Sequence, residues 1–502
     1  MNTDLNNLTD AYYIKFPSDR FHSSMKPYLG FSTLEADDSA FHLTNYKIKN
    51  HFLEKTFHAE PKFRNKISTQ ILPITDVQAG YDALLGKAIS EITGGIYSKI
   101  NINQDFSADL TFIGGQVSYP EFTDTLVKQY KVIPGLGMAY GSAGNYQFTN
   151  LTGHVSYSPG RIFNFQLGKD KMFIGDGYRS LLLSDVANNY PYFKSTVNIW
   201  KLQYSVWYSW FRDIYNANGM QQKFLNRYGT FHYLSYNISP QLNIGLFETV
   251  IFEGANANRH RGFDPNYLNP VIFYRPIEYS IGSPDNELLG FNFSWKFLQQ
   301  YKIYGQVILD EFNFQQMKLR EGWWGDKQGF QIGFKHLDLF GIKNLTLQSE
   351  FNWIRPFTYS HGNEQQNYSQ FNQPLAHPFG ANFYEIPTFL TYRFKRSQID
   401  LKCIYAVIGK DSSNLHGDIG QNIFLSYNLR SFEYGNNVTQ GIQNNFFQGE
   451  LKFTWFVLPG INMRIETGII QRFMSNTQGY LREDPYIYLG IKTSMYNFYR
   501  DF

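Results

Sequence analysis

Residues 161–193 read RIFNFQLGKDKMFIGDGYRSLLLSDVANNYPYF, and both halves of the fold are contained in them. The first part alternates. Phe163, Phe165 and Leu167 fall on one face of an extended segment and Asn164 and Gln166 on the other, as in a strand with one apolar and one wet side. At Gly175, Asp176 and Gly177 the pattern breaks into a connection that carries Leu181, Leu182 and Leu183 between Arg179 and Asp185. Three consecutive leucines in a connection do not stay in water, so this loop must fold back onto apolar surface. Alternating strands with a loop turned inward describe a β-barrel whose mouth is occupied.

The same theme of about ten alternating residues and a turn repeats along the chain. In 345–353, Leu345, Leu347, Phe351 and Trp353 oppose Thr346, Gln348, Glu350 and Asn352. Leu289, Phe291, Phe293, Trp295 and Phe297 oppose Asn292, Ser294 and Lys296, and Leu451, Phe453 and Trp455 oppose Glu450, Lys452 and Thr454. Phe106, Ala108, Leu110 and Phe112 oppose Ser107 and Asp109. A charge at every second position needs water on its face, and the aromatics between need lipid.

Composition agrees. Aromatic residues make up 18% of the 502, with 37 Tyr and 46 Phe, while charged residues make up only 17%, against about 25% in soluble domains. Yet the mean hydropathy is −0.38, and no run of 18 or more apolar residues supplies a transmembrane helix. A transmembrane β-barrel reconciles the three; the alternative is a soluble all-β protein, which would leave the aromatic excess unexplained. The net charge of +3 carries no argument for nucleic acid.

Connection lengths alternate as well. Short turns are expected at 103–104, 159–160, near Lys201, at 239–240, 299–300, 338–342, Ser397 and 458–460, with long loops at 119–146, 174–190, 214–223, 254–285, 314–326, 355–385, 409–441 and 475–483. Short periplasmic turns and long extracellular loops mark an outer-membrane barrel. The alternation gives 18 strands, provided VNIWKLQYSVWYSW is split at about 200–202. The fold class is therefore an all-β transmembrane antiparallel barrel with long extracellular loops folding into the lumen, over residues 66–502. Residues 1–65, polar and dotted with His22, His42, His51 and His58, read as a peripheral periplasmic segment. Residues 1–30 lack a basic stretch followed by an apolar core, so an outer-membrane location implies that an export signal has been removed. The chain ends YIYLGIKTSMYNFYRDF, which reads as a last alternating strand closing on Phe502.

Chemistry is sparse. Ser360 and His361 are adjacent, and on a strand adjacent side chains point to opposite faces, so they cannot share a proton. GLGMAYG does not have the spacing of a dinucleotide-binding loop, and the histidines are scattered without metal spacing, so no enzyme activity, cofactor or metal is expected. Cys403, the single cysteine, alternates with Ile399, Leu401, Tyr405 and Val407 on the expected lipid face, while Asp400 and Lys402 face the lumen.

Four loop stretches are too particular for filler: VIPGLGMAYG (132–141), FIGDGYRSLLLSD (173–185), YLNPVIFYRPIEYSIGSPDNELLG (267–290) and QPLAHPFGANFYE (373–385). With HSSMKPYL (22–29), they resemble the Wzi-like family of capsule-assembly outer-membrane proteins, and within it the gliding-motility branch, RemB. The resemblance spans residues 21–502 and is most specific at 173–185. It implies an 18-stranded barrel without catalysis that holds capsular or exopolysaccharide or supports gliding. Its partners would be outer-membrane lipid or lipopolysaccharide, surface polysaccharide, and gliding or secretion machinery proteins.

The candidate ligand-binding residues are Asp176, Tyr178, Arg179, Asp185, Arg259, Arg261, Tyr274, Arg275, His377 and Asn382. Asp176, Arg179 and Asp185 read either as an ion-pair cluster in a structural plug or as a ligand site. Arg275 with Tyr274 can take an acidic sugar by charge and stacking, or Arg275 can pair with Glu278 or Asp285. Arg259, His260 and Arg261 form a short basic run that meets an anionic glycan or is merely solvated. Against the polysaccharide reading stands a porin-type diffusion channel, and the state of the lumen separates the two.

Overall fold

The structure is a computed structural model describing residues 3–28, 67–103, 105–142, 144–160, 162–217, 220–256, 259–260, 262–271, 285–311, 314–411, 417–494 and 496–502. Among these residues 18 antiparallel strands close into one barrel. The first nine are β1 Ile67–Asp82, β2 Lys87–Ile102, β3 Phe106–Ser118, β4 Asn145–Tyr157, β5 Phe163–Asp170, β6 Tyr190–Ile199, β7 Leu202–Asp213, β8 Leu225–Asn237 and β9 Leu242–Glu253. The second nine are β10 Asn286–Phe297, β11 Tyr301–Asp310, β12 Gln328–His336, β13 Leu345–Ile354, β14 Phe383–Phe394, β15 Ser397–Lys410, β16 Ile442–Leu458, β17 Met463–Asn476 and β18 Leu481–Lys492. Each pairs with its sequence neighbour, and β1 meets β18, with Val77 opposite Ile491 and Asp82 opposite Tyr486. Closure leaves no open edge, as a sheet in hydrocarbon requires.

The alternation places the two faces as expected. Leu451 is 53% exposed on the outer surface, beside Leu401 of β15 and Ile469 of β17 in register, while Thr454 is buried. Asn292, Ser294 and Lys296 are buried in the lumen and Phe291 and Trp295 exposed outside. The turn between β6 and β7 falls at Trp200 and Lys201, where Trp200 takes a positive φ of 56°. The last short turns sit a residue or two from the expected positions, since Ser397 already opens β15.

Besides the loop after β5, three chain segments enter or cap the lumen. Helix α1, Thr3–Lys15, sits at the short-turn end, where Lys15 pairs with Asp338 at 2.7 Å. Its Asp10 lies between Lys302 of β11 (2.6 Å) and Lys335 of β12 (2.8 Å). Residues 3–28 are therefore not peripheral: lumen-facing lysines of the wall are neutralised by this segment and draw it inside. Helix α2, Glu121–Tyr130, follows β3 and caps the lumen at the long-loop end; the Glu121 N–H donates to Asp82 Oδ2 at 2.8 Å. The third segment is the C-terminal tail. The last strand stops at Lys492 rather than at Phe502, because Asp76 Oδ1 accepts the N–H groups of Thr493 (2.9 Å) and Ser494 (3.0 Å) and ends the ladder. From there the tail turns into the barrel, where Asp501 is fully buried.

Leu451 lies near the middle of β16, so Leu451→Arg should destabilise the barrel by about 2 to 4 kcal/mol in lipid. Thr346→Arg, which projects into a lumen cavity, should be tolerated. Equal tolerance of both in urea titration of the reconstituted protein would rule out the lipid-facing assignment. Cys403, paired in register with Thr388 and Gly449 on the outer face, should react slowly with a water-soluble maleimide in intact membranes. Rapid labelling would overturn this register.

Candidate functional site

The loop between β5 and β6 enters the barrel and becomes its centre. Phe173 and Ile174 pair with Lys26 and Met25 of the N-terminal segment, and Leu181, Leu182 and Leu183 are each 0% exposed. Burying a leucine is worth about 1.5–3 kcal/mol relative to leaving it in water, but only if the loop backbone is also satisfied. It is. The Leu181 N–H donates to Gln306 Oε1 at 2.8 Å, and Ser180 Oγ accepts from Leu182 (3.1 Å) and Leu183 (3.2 Å). Tyr359 and Tyr368 donate their hydroxyls to the carbonyls of Leu181 and Leu182, both at 2.7 Å. Gly290 in β10 makes room: a Cβ there would sit 2.4 Å from Leu182 Cδ2.

Arg179 is buried beside these leucines. Its Nη2 donates to Glu385 Oε1 of β14 at 3.0 Å, and its Nη1 to Asp501 Oδ1 of the tail at 3.2 Å. The expected partners were Asp176 and Asp185, and both are engaged elsewhere. Asp176 pairs with Lys302 at 2.5 Å and accepts from Ser24 of the N-terminal segment. Asp185 accepts from the Tyr499 hydroxyl (2.7 Å) and from Asn497 Nδ2 (2.9 Å), both in the tail. The plug is thus fastened to both terminal segments and to the wall.

Two of the remaining candidates, Tyr178 and His377, join this network. Tyr178 donates its hydroxyl to Asp501, and its ring centroid lies 4.8 Å from the Arg179 guanidinium carbon. His377 accepts from the Phe379 N–H at Nδ1 (3.3 Å), so its Nε2 carries the proton and donates to Glu385 Oε2 at 2.7 Å. Burial pushes His377 below its ordinary range, with Glu385 opposing the shift, and keeps the ring neutral near pH 7. Asn382, at φ 59°, bonds the carbonyls of Gly409 and Gln440, both at 3.1 Å, and shapes a turn. Arg261, Tyr274 and Arg275 lie outside the described residues, as does the side chain of Arg259.

Sequence reasoning missed Glu385, Asp501, Glu350 and Lys302 as members of this centre. Glu385 ends the stretch 373–385, and that position next to His377 was the available signal. Glu350 accepts the backbone N–H groups of Tyr178 and Arg179 (3.2 Å for the second). Ser360 and His361 are not on a strand; they lie in the loop after β13, where Ser360 Oγ donates to the Phe357 carbonyl at 2.6 Å and His361 Nδ1 accepts from the Asn363 N–H at 3.1 Å. They form no hydroxyl-to-imidazole pair by that geometry.

A cavity of about 770 Å³ remains beside the plug, reaching from Lys343, Lys395 and Asn462 at the short turns to Phe122 and Tyr178 within.

The chain matches no protein-family model and no curated protein. Among solved structures it is similar over 98% of its length to 98% of Wzi, an Escherichia coli outer-membrane protein involved in group 1 capsule assembly and described as a carbohydrate-binding β-barrel, at 13% identity and a TM-score of 0.59. It is also similar to Pseudomonas aeruginosa OprD (9% identity, 84% of this chain and 94% of that one, TM-score 0.44). Pseudomonas aeruginosa OpdK, solved with vanillate, gives 9% identity over 85% of this chain and 98% of that one, with a TM-score of 0.45. The fold is that of outer-membrane barrels.

Removing the Arg179 guanidinium leaves two buried carboxylates facing one another's field. Arg179→Met should therefore cost about 3–5 kcal/mol, measured by urea titration. The Asp501 carboxyl gives the pH dependence. Burial works against its charge, but Arg179 and Lys402 outweigh burial and hold it well below the 3.8 of an unperturbed aspartate. A depressed carboxyl stabilises the closed state above the unfolded value and loses that contribution as pH falls through the folded one. Tail cleavage by a protease active in acid should therefore stay negligible from neutral pH down to 3.8 and rise only below it. Release of the tail at pH 5 to 6 would contradict the assignment.

Proposed function

We propose that this chain is a non-enzymatic outer-membrane barrel that binds or organises surface polysaccharide, capsular or secreted, with its long-loop face. The observation that carries the reading is the filled lumen. Leu181 to Leu183, fully buried and tied to wall and termini, occupy the path that a diffusing solute would use. The likeness to Wzi in fold supports the same direction. A role in gliding motility, as in the RemB branch, belongs to the same proposal, with lipopolysaccharide and machinery proteins of the cell surface as partners. The porin reading keeps one supporting observation, the charged cavity that reaches the short turns.

Two measurements decide between them. The detergent-purified barrel should retain the purified surface polysaccharide of its own cell, and in planar bilayers it should give no stable open-channel conductance. Deletion of residues 178–184 should raise conductance well above the parent. An open parent channel together with no polysaccharide retention would hand the function to diffusion.

A further inference from the structure

A groove of about 680 Å³ lies on the long-loop face, between the loop after β7 and the loop after β13. That volume falls in the range of small-ligand sites, about 300–1,000 Å³. Beside the apolar Ala217 and Leu225, six polar side chains line it, those of Asp213, Asn216, Lys223, Asn363, Glu364 and Gln365. Asn216 and Lys223 are exposed and the other four half-buried. Two carboxylates and one ammonium give the groove no excess of positive charge with which to attract a polyanion.

At Gly362 the groove meets a second feature. Ser426 Oγ donates to the Gly362 carbonyl at 2.8 Å, and a Cβ on Gly362 would come within 3.0 Å of the Tyr427 hydroxyl, so the loop after β15 lies directly against the groove wall. Tyr427 leads to a group of aromatic rings. Its ring centroid is 4.6 Å from that of Trp324, which is 5.6 Å from that of Trp323. Both indole N–H groups donate to one oxygen, Glu433 Oε1, at 3.1 Å and 3.0 Å, while Arg430 holds the other at 2.6 Å and lies 4.5 Å from the Trp324 ring centroid. The backbone beneath is stapled as well: the Trp324 N–H donates to the Glu433 carbonyl and the Gly435 N–H to the Glu321 carbonyl, at 3.0 and 2.8 Å. Beside this rigid base Phe432 is 48% and Tyr434 47% exposed. These rings belong to a loop rather than to the lipid-facing wall, so lipid does not account for them.

We infer that the groove and its aromatic rim form one glycan site, with a neutral hexose-type chain stacking on the rim and hydrogen-bonding through its hydroxyls to the amides and carboxylates of the groove. This rests on the polysaccharide reading above and adds where the chain binds and what charge it carries. Ring faces match the apolar faces of sugars, and pinned indoles lose little freedom on binding. Glu433 and Arg430 neutralise each other, so the rim, like the groove, favours an uncharged ligand.

The test uses the full chain in detergent on a panel of immobilised neutral hexose oligosaccharides and their uronic-acid counterparts, and on the native polymer. Neutral members should be retained in preference. Phe432→Ser with Tyr434→Ser, and separately Asn216→Ala with Glu364→Ala, should each weaken retention by about tenfold or more. These side chains are exposed or half-buried, so the variants should keep the parent's heat-dependent gel mobility. The inference is overturned if neither pair of changes matters, if uronic-acid members are preferred, if no neutral member is retained, or if the Phe432 and Tyr434 changes abolish only association between copies of the chain. Native polymer held equally by parent and variants would leave the broader reading standing with the site elsewhere; native polymer held by none would remove both.

Discussion

A single guanidinium, that of Arg179, ties the plug, the wall and the tail of this barrel together. It lies fully buried among three leucines, and a charge in that position is tolerable only with close carboxylates and complete hydrogen bonding. Glu385 comes from the wall and Asp501 from the tail, so the pairing joins three parts of the chain that are far apart in sequence. Glu385 is itself completed by His377 and by Asn352 Nδ2 at 3.0 Å, and Asp501 by Tyr178 and by Lys402 at 3.3 Å. A half-satisfied network of this kind would be worse than an apolar filling. Its completeness is what lets the plug be seated in a polar lumen.

The wall explains why the filling is polar at all. A strand that shows lipid one face turns every second residue inward, and the inward residues include Lys302, Lys335, Glu350, Glu385 and Lys402. A water-filled pore would leave these charges hydrated. Here instead Asp10 of α1, Asp176 and Arg179 of the plug and Asp501 of the tail supply counter-charges to Lys302, Lys335, Glu385 and Lys402, while Glu350 accepts backbone N–H groups of the plug. The inserted segments therefore neutralise part of the lining, beside pairs made within the wall such as Lys402 with Glu450 and Lys452 with Asp400.

The wall was legible in the sequence because its signal is local: period two within a strand, and turn length between strands. Even the doubtful division near Trp200 lies where parity required it. The buried leucines were legible for a similar reason, since their apolarity needs no partner to be recognised. The identity of the salt-bridge partners was not. Asp176 and Asp185 are neighbours of Arg179 along the chain, but Glu385 and Asp501 reach it from 206 and 322 residues away. Barrel closure sets those distances, and no short stretch encodes them. The tail misled in the same way: its alternation continues past Lys492, and only the capture of two backbone N–H groups by Asp76, more than 400 residues earlier, turns it inward.

Buried roles also bear on where a ligand can be met. Asp176, Arg179, Asp185, His377 and Asn382 have their hydrogen-bonding capacity committed to the protein itself. On the reading proposed above, a glycan at the long-loop face would meet other side chains, whose bonds leave faces and edges free. Glu433 illustrates the difference. It is partly exposed, and by accepting from both indoles and from Arg430 it fixes their orientation without covering the neighbouring rings of Phe432 and Tyr434. A salt bridge so open to solvent contributes little to stability. At the site inferred above its effect would lie in pre-organisation, because side chains already held in place surrender little entropy to a ligand. The interior uses ionic pairing to seat the plug, and at the site inferred above the loops would use the same chemistry, closer to water, to hold a binding surface ready.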